Sequence, residues 1–335
     1  MKSKIYITGA AGFIGFHAAK KFLDKGIKVH GFDSMNNYYD ANLKKSRLKT
    51  LRKFKKFFFT KGNLENKKKL ENSILKFKPS IIIHLAAQAG VRYSIEKPEV
   101  YLRANITGTF NLIEASRKIR IKHLIIASSS SVYGANKKLP FKELDKTDHQ
   151  ISFYASTKKS TESLAHSFSS LWKLPITMLR FFTVYGPWGR PDMAYFKFTK
   201  NIINGKKIDI YNNGKMYRDY TYVDDIVDGI CKLINKSPLK NKNKKYKNDS
   251  LSPVAPFRIL NIGNTKKVYL LNFINELEKN LKKKAIKNFM PMQKGDVHST
   301  LSDTSLLKKI TGYNPKTKYQ KGIKNFINWY LDYYN

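Results

Sequence analysis

Tyr154 and Lys158 stand four residues apart in the run YASTK, so a helix there puts a phenol and an ammonium on one face. An ammonium beside a phenol favours the phenolate. It draws the pKa from ~10 toward the working range of a general base. Upstream, the apolar run HLIIA leads into Ser128, Ser129, Ser130 and Ser131, a cluster of hydroxyls at a strand-like end. Such hydroxyls can relay a proton and hold substrate oxygens. By itself a Tyr-x-x-x-Lys pair is equally at home on a solvated helix face, and serines cluster in turns and caps. The pair gains meaning only beside a site for a reacting partner.

The N-terminal stretch KIYITGAAGFIGFHAAKKFL describes such a site. Gly9, Gly12 and Gly15 lie between a strand-like run and a helix-like one. In that setting the first glycine permits a tight turn, the second lets backbone approach a pyrophosphate, and the third lets the helix pack on the sheet. The helix N-terminus offers free N–H groups and the positive end of its dipole. Asp33 closes the next strand, where an acid accepts hydrogen bonds from the adenosine ribose and disfavours a 2′-phosphate. The expected cofactor is therefore NAD rather than NADP. Bound NAD⁺ would add a second positive charge beside Tyr154.

The elements that must position these residues follow from the pattern. KIYIT (4–8), KVHGFD (28–33), FKKFFFTKGN, PSIIIHLAA, IKHLIIASSSS and PITMLRF (175–181) read as strands. Helical runs lie between them, from Phe13 to Asp24, around 98–118 and at 153–172. Alternation of this kind predicts an α/β fold, a doubly wound parallel sheet of Rossmann type covered on both faces. After Arg180 the alternation weakens, which predicts a smaller C-terminal α/β lobe. RILNIG (258–263) is expected to return to the main sheet. The expected division gives 1–180 plus about 223–263 to the dinucleotide domain and 181–222 with 264–335 to the substrate lobe. His84, inside an apolar strand, reads as a satisfied core residue. The Lys/Asn-rich segment 237–257 reads as a solvated surface loop.

Composition narrows the classes. The chain has 335 residues, 41% hydrophobic, with no run long enough for a membrane span. One cysteine, Cys231, excludes an internal disulfide framework, and no histidine spacing suggests a metal. A strand beginning at Lys4 leaves no room for a leader, and the expected location is the cytoplasm. The net charge of +40 comes from lysines scattered along the whole chain, with no nucleic-acid-binding motif. No nucleic-acid or membrane partner is expected. The diffuse field would help collect an anionic small molecule.

Taken together, the glycine loop, the serine cluster before Val132-Tyr133-Gly134 and Tyr154-x-x-x-Lys158 resemble the extended short-chain dehydrogenase/reductase family. Within it, DSMNNYYD (33–40), HLAAQAGVRYS (84–94), ASSSSVYGAN (127–136), RFFTVYGPWGRPDM (180–193), YNNGKMYRDYTYVDDIV (211–227) and VAPFRILNIGN (254–264) are similar to UDP-glucuronate 4-epimerases. The resemblance implies an NAD-dependent isomerase acting on a UDP-sugar. It implies that Gly9, Gly12 and Gly15, with the backbone of Phe13 and Ile14, hold the NAD pyrophosphate. Asp33 and Asn37 would hold the adenosine ribose, Asn63 and Leu64 flank adenine, and Leu85, Ala86, Ala87 and Asn105 line the cofactor channel. Tyr154 would be the base, Lys158 would orient the nicotinamide ribose, and Ser129 would complete the proton path. Thr183, Arg218 and Asp296 would contact the nucleotide diphosphate. Ser130 and Arg190 would take the sugar's carboxylate. It also implies a homodimer in which helices 98–118 and 153–172 pair with their copies as a four-helix interface. Asn63 stands where many relatives have Asp, Thr183 where glucose-type epimerases often have Asn, and Gln293 where an Arg often precedes the Gly-Asp pair. Other readings stay open: a UDP-hexose 4-epimerase, a UDP-glucuronate decarboxylase, or an NAD-binding regulatory protein without turnover. A 4,6-dehydratase would need an acid–base pair beside the catalytic hydroxyl, where this chain has Ser130 and Ser131.

Overall fold

The computed structural model describes residues 4–239 and 246–334. Its centre is a seven-stranded sheet. From edge to edge the strands are Phe257–Ile262, Ile176–Phe181, His123–Ser129, Ile81–His84, Lys4–Thr8, Lys28–Asp33 and Phe57–Lys61. Every neighbouring pair is parallel. Central strands covered on both faces must be apolar throughout, and Ile81–His84 and Ile176–Phe181 are buried at every position. The strand Phe257–Ile262 adds to the sheet beside Ile176–Phe181, as RILNIG suggested.

Two apolar layers cover the sheet. On one face Phe16, Ala19 and Phe22 from helix Phe13–Asp24 pack with Val227 and Ile230 from helix Val223–Leu233. On the other, helices Lys67–Phe77, Gly108–Arg117 and Phe153–Trp172 supply Ile74, Leu112 and Phe168. A smaller lobe has its own core of Phe196, Phe273, Ile274 and Phe326, around helices Ala194–Ile203, Leu270–Leu281 and Tyr319–Tyr334. It carries a three-stranded and a two-stranded sheet. Both lobes have the α/β character expected.

Three expectations need correction. Residues 305–313 were assigned to the small lobe, yet Leu306, Leu307, Ile310 and Tyr313 pack into the core of the main sheet. The region 98–118 is one helical path but not one α-helix. A turn at Pro98–Tyr101 runs into a π-helical stretch, Leu102–Thr107, before the α-helix Gly108–Arg117. The segment 237–257 is solvated only in part. Asp249, Leu251 and Ala255 are buried, and Asp249 makes a bidentate ion pair with Arg258 at 3.0 Å on both arms. Residues 240–245 of that segment lie outside the described residues.

Candidate active site

The chain runs outward from Lys4–Thr8 through Lys28–Asp33 to Phe57–Lys61, then crosses to Ile81–His84 on the other side of the first strand. The reversal opens a crevice at the carboxyl ends of these strands, where doubly wound folds take ligands. A cavity of about 1070 Å³ occupies it and continues to the small lobe. That is the upper end of the ~300–1,000 Å³ typical of ligand sites.

One end of the cavity is the glycine loop. Gly9, Gly12, Phe13, Ile14 and Gly15 form its wall. Gly9 has φ +73 and a side chain there would come within 2.8 Å of the Ala86 backbone nitrogen. A Cβ on Gly15 would lie 2.0 Å from the Gly9 carbonyl, so this glycine lets the helix close onto the loop. Asp33 also fixes the loop. Its carboxylate accepts from the N–H of Ala11 at 3.0 Å and of Met35 at 2.9 Å. The first amides of helix Phe13–Asp24 have no intrahelical acceptor and lie on the wall, a donor set suited to a diphosphate. Asn63, Leu64, Leu85, Ala86 and Ala87 also line this end, the last three directly after a strand terminus.

Two expected contacts lie off the wall. Asn37 is exposed, while its neighbours Asn36 and Tyr38 face the cavity. The buried Lys44 holds Asn36 by its carbonyl (2.8 Å) and side-chain oxygen (2.5 Å). Burial lowers the Lys44 pKa, with Asp33 opposing. Asn105 sits in the π-helical stretch, 1% exposed. Its side chain accepts from Gln88 N–H at 2.8 Å and donates to Gln88 carbonyl and Thr157 hydroxyl. It ties the strand-end loop to helix Phe153–Trp172 rather than facing the cavity.

The middle of the cavity holds Ser129, Tyr154 and Lys158, the candidate acid–base group. Tyr154 lies in the first turn of helix Phe153–Trp172, which Ser152 caps by accepting from Ala155 N–H. Burial raises its phenol pKa, while the Ser129 hydroxyl and the charge of Arg190 pull it down. Lys158, 5% exposed, donates to the Ala127 carbonyl at 2.9 Å. Burial pulls its ammonium down to about 8 against the opposing charge of Glu162. Glu162, one turn further on, accepts from Ser128 hydroxyl at 2.6 Å and from both arms of Arg180 at 2.9 and 2.8 Å. Residues 154, 158 and 162 thus dock onto Ser129, Ala127 and Ser128 in a ladder. His84 is buried between Thr8 and Thr109 hydroxyls (2.7 and 3.0 Å) and is kept neutral, its pKa driven to about 3 by burial and Lys158.

Ser130, Thr183, Arg190, Arg218 and Asp296 line the far end. The cations there are already engaged. Arg190 makes a two-armed contact with Asp192, Nε to Oδ1 at 3.0 Å. Arg218 donates to Asp296 at 3.3 Å. Arg92, 3.7 Å from the same carboxylate, also lines the cavity and lies 4.5 Å over the Tyr211 ring. Lys44, Arg92, Asp192 and Glu162 were not singled out from the sequence. Arg92 lies inside HLAAQAGVRYS, but no local spacing distinguishes it. Glu162 continues the i, i+4 series of Tyr154 and Lys158, and that was its available signal.

A doubly wound sheet whose crevice joins an anion-binding glycine loop to a buried Tyr/Ser/Lys group defines a dinucleotide-dependent enzyme of the dehydrogenase/reductase class. The chain belongs to the extended short-chain dehydrogenase/reductase family: residues 6–326 match the family described as GDP-mannose 4,6 dehydratase. It is 50% identical to the protein CapI of Staphylococcus aureus, over 99% of each chain. It is 47% identical to a probable UDP-glucuronate 4-epimerase of Rhizobium meliloti (strain 1021), over 97% of this chain and 96% of that one. Its fold superposes with TM-score 0.88 on the crystal structure of UDP-glucuronic acid 4-epimerase from Bacillus cereus in complex with UDP-glucuronic acid and NAD. That match has 32% identity and covers 99% of this chain and 100% of that one.

Proposed function

We propose that this protein is an NAD-dependent UDP-sugar 4-epimerase that interconverts UDP-glucuronate and UDP-galacturonate through a 4-keto sugar. One observation carries the reading: the glycine-loop amides and the Tyr154–Ser129–Lys158 group share a single cavity with an arginine, Arg190, on its far wall. Relatives at 47% identity and a bound neighbour named for this reaction support it.

The residues present fit NAD: free amides at a helix N-terminus, Asp33 at the strand end beside them, and glycines where side chains would collide. When bound, NAD supplies the hydride acceptor and then the donor at C4. Tyr154 takes the proton of the sugar 4-hydroxyl and later returns it. Ser129, whose hydroxyl faces Tyr154, completes the proton path. The Lys158 ammonium, fixed by the Ala127 carbonyl, holds positive charge one helical turn from Tyr154 and would orient the nicotinamide ribose. Thr183 and Arg218, the latter held by Asp296, grip the nucleotide diphosphate, and that binding retains the sugar while it turns to present its other face.

The carboxylate matters because the 4-keto intermediate is a β-keto acid and can lose CO₂. The Nη1 of Arg190, whose Nε and Nη2 are on Asp192, and Ser130 hold the carboxylate so that its C–C bond stays out of line with the carbonyl π system. Ser130 and Ser131 follow Ser129 where a dehydratase would place its acid and base. Incubation with UDP-glucuronate and product analysis by NMR tests the reading. UDP-galacturonate is expected; a UDP-pentose would mean decarboxylation, and turnover of UDP-glucose alone would mean hexose epimerisation.

We further propose a homodimer in the cytoplasm, where a lone cysteine stays reduced. Helix Phe153–Trp172 exposes Phe153, Leu171 and Trp172 along a serine-rich stripe, and Leu102 and Phe110 are exposed on the adjacent helical path. Five apolar side chains on two neighbouring helices fit a four-helix interface. A monomer at micromolar concentration in light scattering would remove it.

A further inference from the structure

Arg47, on helix Ala41–Arg52, is fully buried and forms no ion pair among the described residues. Its guanidinium donates to four oxygens: the Ala11 carbonyl (2.9 Å), the Tyr39 hydroxyl (2.9 Å), the Trp188 carbonyl (2.6 Å) and the Gly189 carbonyl (2.9 Å). Its Nε is buried without a partner. Uncharged acceptors satisfy hydrogen bonds but leave the charge uncompensated, which is costly in an interior. Asp33, Arg47, Arg190 and Asp192 all act on Lys44, three residues before it, and Asp40 acts with Arg47 on Tyr334. Among the described residues none of these acids pairs with the Arg47 guanidinium itself.

The four oxygens belong to two distant segments. Ala11 lies inside the glycine loop, whose wall carries the free amides. Trp188 and Gly189 lie immediately before Arg190. Trp188 has φ +58, a left-handed conformation that a bulky residue adopts only when its surroundings impose it. Arg47 holds the carbonyl that follows this strained residue. Around the Trp188 ring stand Phe16, Trp329 and Tyr333, at centroid distances of 5.3, 5.3 and 5.2 Å. A side chain on Gly189 would lie 2.0 Å from the Tyr195 hydroxyl. A second tether runs parallel, His17 of the glycine-loop helix to the Pro187 carbonyl at 2.9 Å.

We propose that Arg47 is a positioning residue that couples the two ends of the cavity. An anionic diphosphate on the glycine loop compensates the unpaired guanidinium charge, tightens the grip of Arg47 on Ala11, Trp188 and Gly189, and so fixes the loop that presents Arg190. The coupling rests on the NAD reading of the glycine loop and is independent of which sugar is the substrate.

Amide hydrogen exchange of the full chain, with and without saturating NAD, tests it. NAD is expected to slow exchange in 9–15 and, at least tenfold, in 186–193. In Arg47→Met, which keeps side-chain bulk, NAD is expected to slow 9–15 still but to leave 186–193 unchanged. A merely structural role would raise exchange in 186–193 by the same factor with and without NAD, and that result overturns the coupling. Protection of 9–15 without protection of 186–193 in the natural chain overturns the coupling alone. No protection of 9–15 overturns the cofactor reading and the coupling with it. If Arg47→Met fails to fold, Arg47→Lys keeps the charge but cannot span four acceptors. An undiminished NAD effect on 186–193 in that variant overturns the proposal.

Discussion

Two regions face each other across the cavity and are built differently. Beneath Tyr154 the helix Phe153–Trp172 docks on a central strand, and its buried acid is paired: Glu162 takes both arms of Arg180 and the Ser128 hydroxyl. Across from it, residues 186–193 form a loop with positive φ at Gly186 and Trp188 and an Arg190–Asp192 pair that is about one-fifth exposed, held from outside by the buried Arg47 guanidinium, which has no acid. On the proposed reading, the first region places the atoms of the proton transfer and the second holds the groups that admit, turn and release the sugar. Rigidity comes from packed helix and strand tied by a buried ion pair; adaptability comes from a loop held at a few points.

Removing the chemistry while keeping the rigid frame gives the largest effect. Tyr154→Phe keeps the ring and its edge contact with Tyr101 at 6.1 Å but loses the proton acceptor. Turnover should fall about 10²–10⁴-fold with NAD binding and melting temperature retained. A variant keeping a tenth of the natural kcat would show that Tyr154 is not the base.

Breaking the frame itself contrasts the two ion pairs. Glu162→Gln leaves the Arg180 charge buried and uncompensated, so unfolding should cost about 3–5 kcal/mol less. Asp192→Asn touches a partly exposed pair and should cost under about 1 kcal/mol. Denaturant titrations of both variants measure the difference; equal losses would erase the distinction between the regions.

Arg190→Ala tests the loop by function. Leaving a substrate carboxylate buried without its cation costs about 2–5 kcal/mol. Turnover of UDP-glucuronate should fall strongly, that of UDP-glucose little, and the share of decarboxylated product should rise. Equal losses on both sugars would place Arg190 on the diphosphate or in loop support.

The smallest effect is a pH dependence in the frame. The Lys158 pKa is lowered from 10.5 to about 8 by burial. The folded chain therefore releases this proton before the unfolded chain does, and stability rises with pH between about 8 and 10.5. Below 8 the full cost of the buried ammonium is present. Lys158→Met, inactive, should be more stable than the natural chain at pH 7, and the gap should narrow by pH 10. A variant less stable at pH 7 would show that the Ala127 hydrogen bond outweighs desolvation.

The sequence alone determined what repeats at short range. Strand and helix periods placed every strand of the main sheet, five of the seven within two residues of their observed ends, and Phe13–Asp24 and 153–172 as helices. The same short range carried the glycine spacing, Asp33 at its strand end and the one-face geometry of Tyr154 and Lys158, because each depends on neighbours a few residues away. Only the tertiary structure decided which groups share the cavity and in what state. Asn37 and Asn105 were both expected at the cofactor, yet one faces solvent and the other clasps Gln88 and Thr157, because a side chain's direction depends on what packs against it. Arg190 and Arg47 look alike along the chain. One meets an acid two residues away; the other is carried by its helix to carbonyls from segments 36 and 141 positions distant. Charge compensation is set by distance in space, and the fold alone brings those segments within reach.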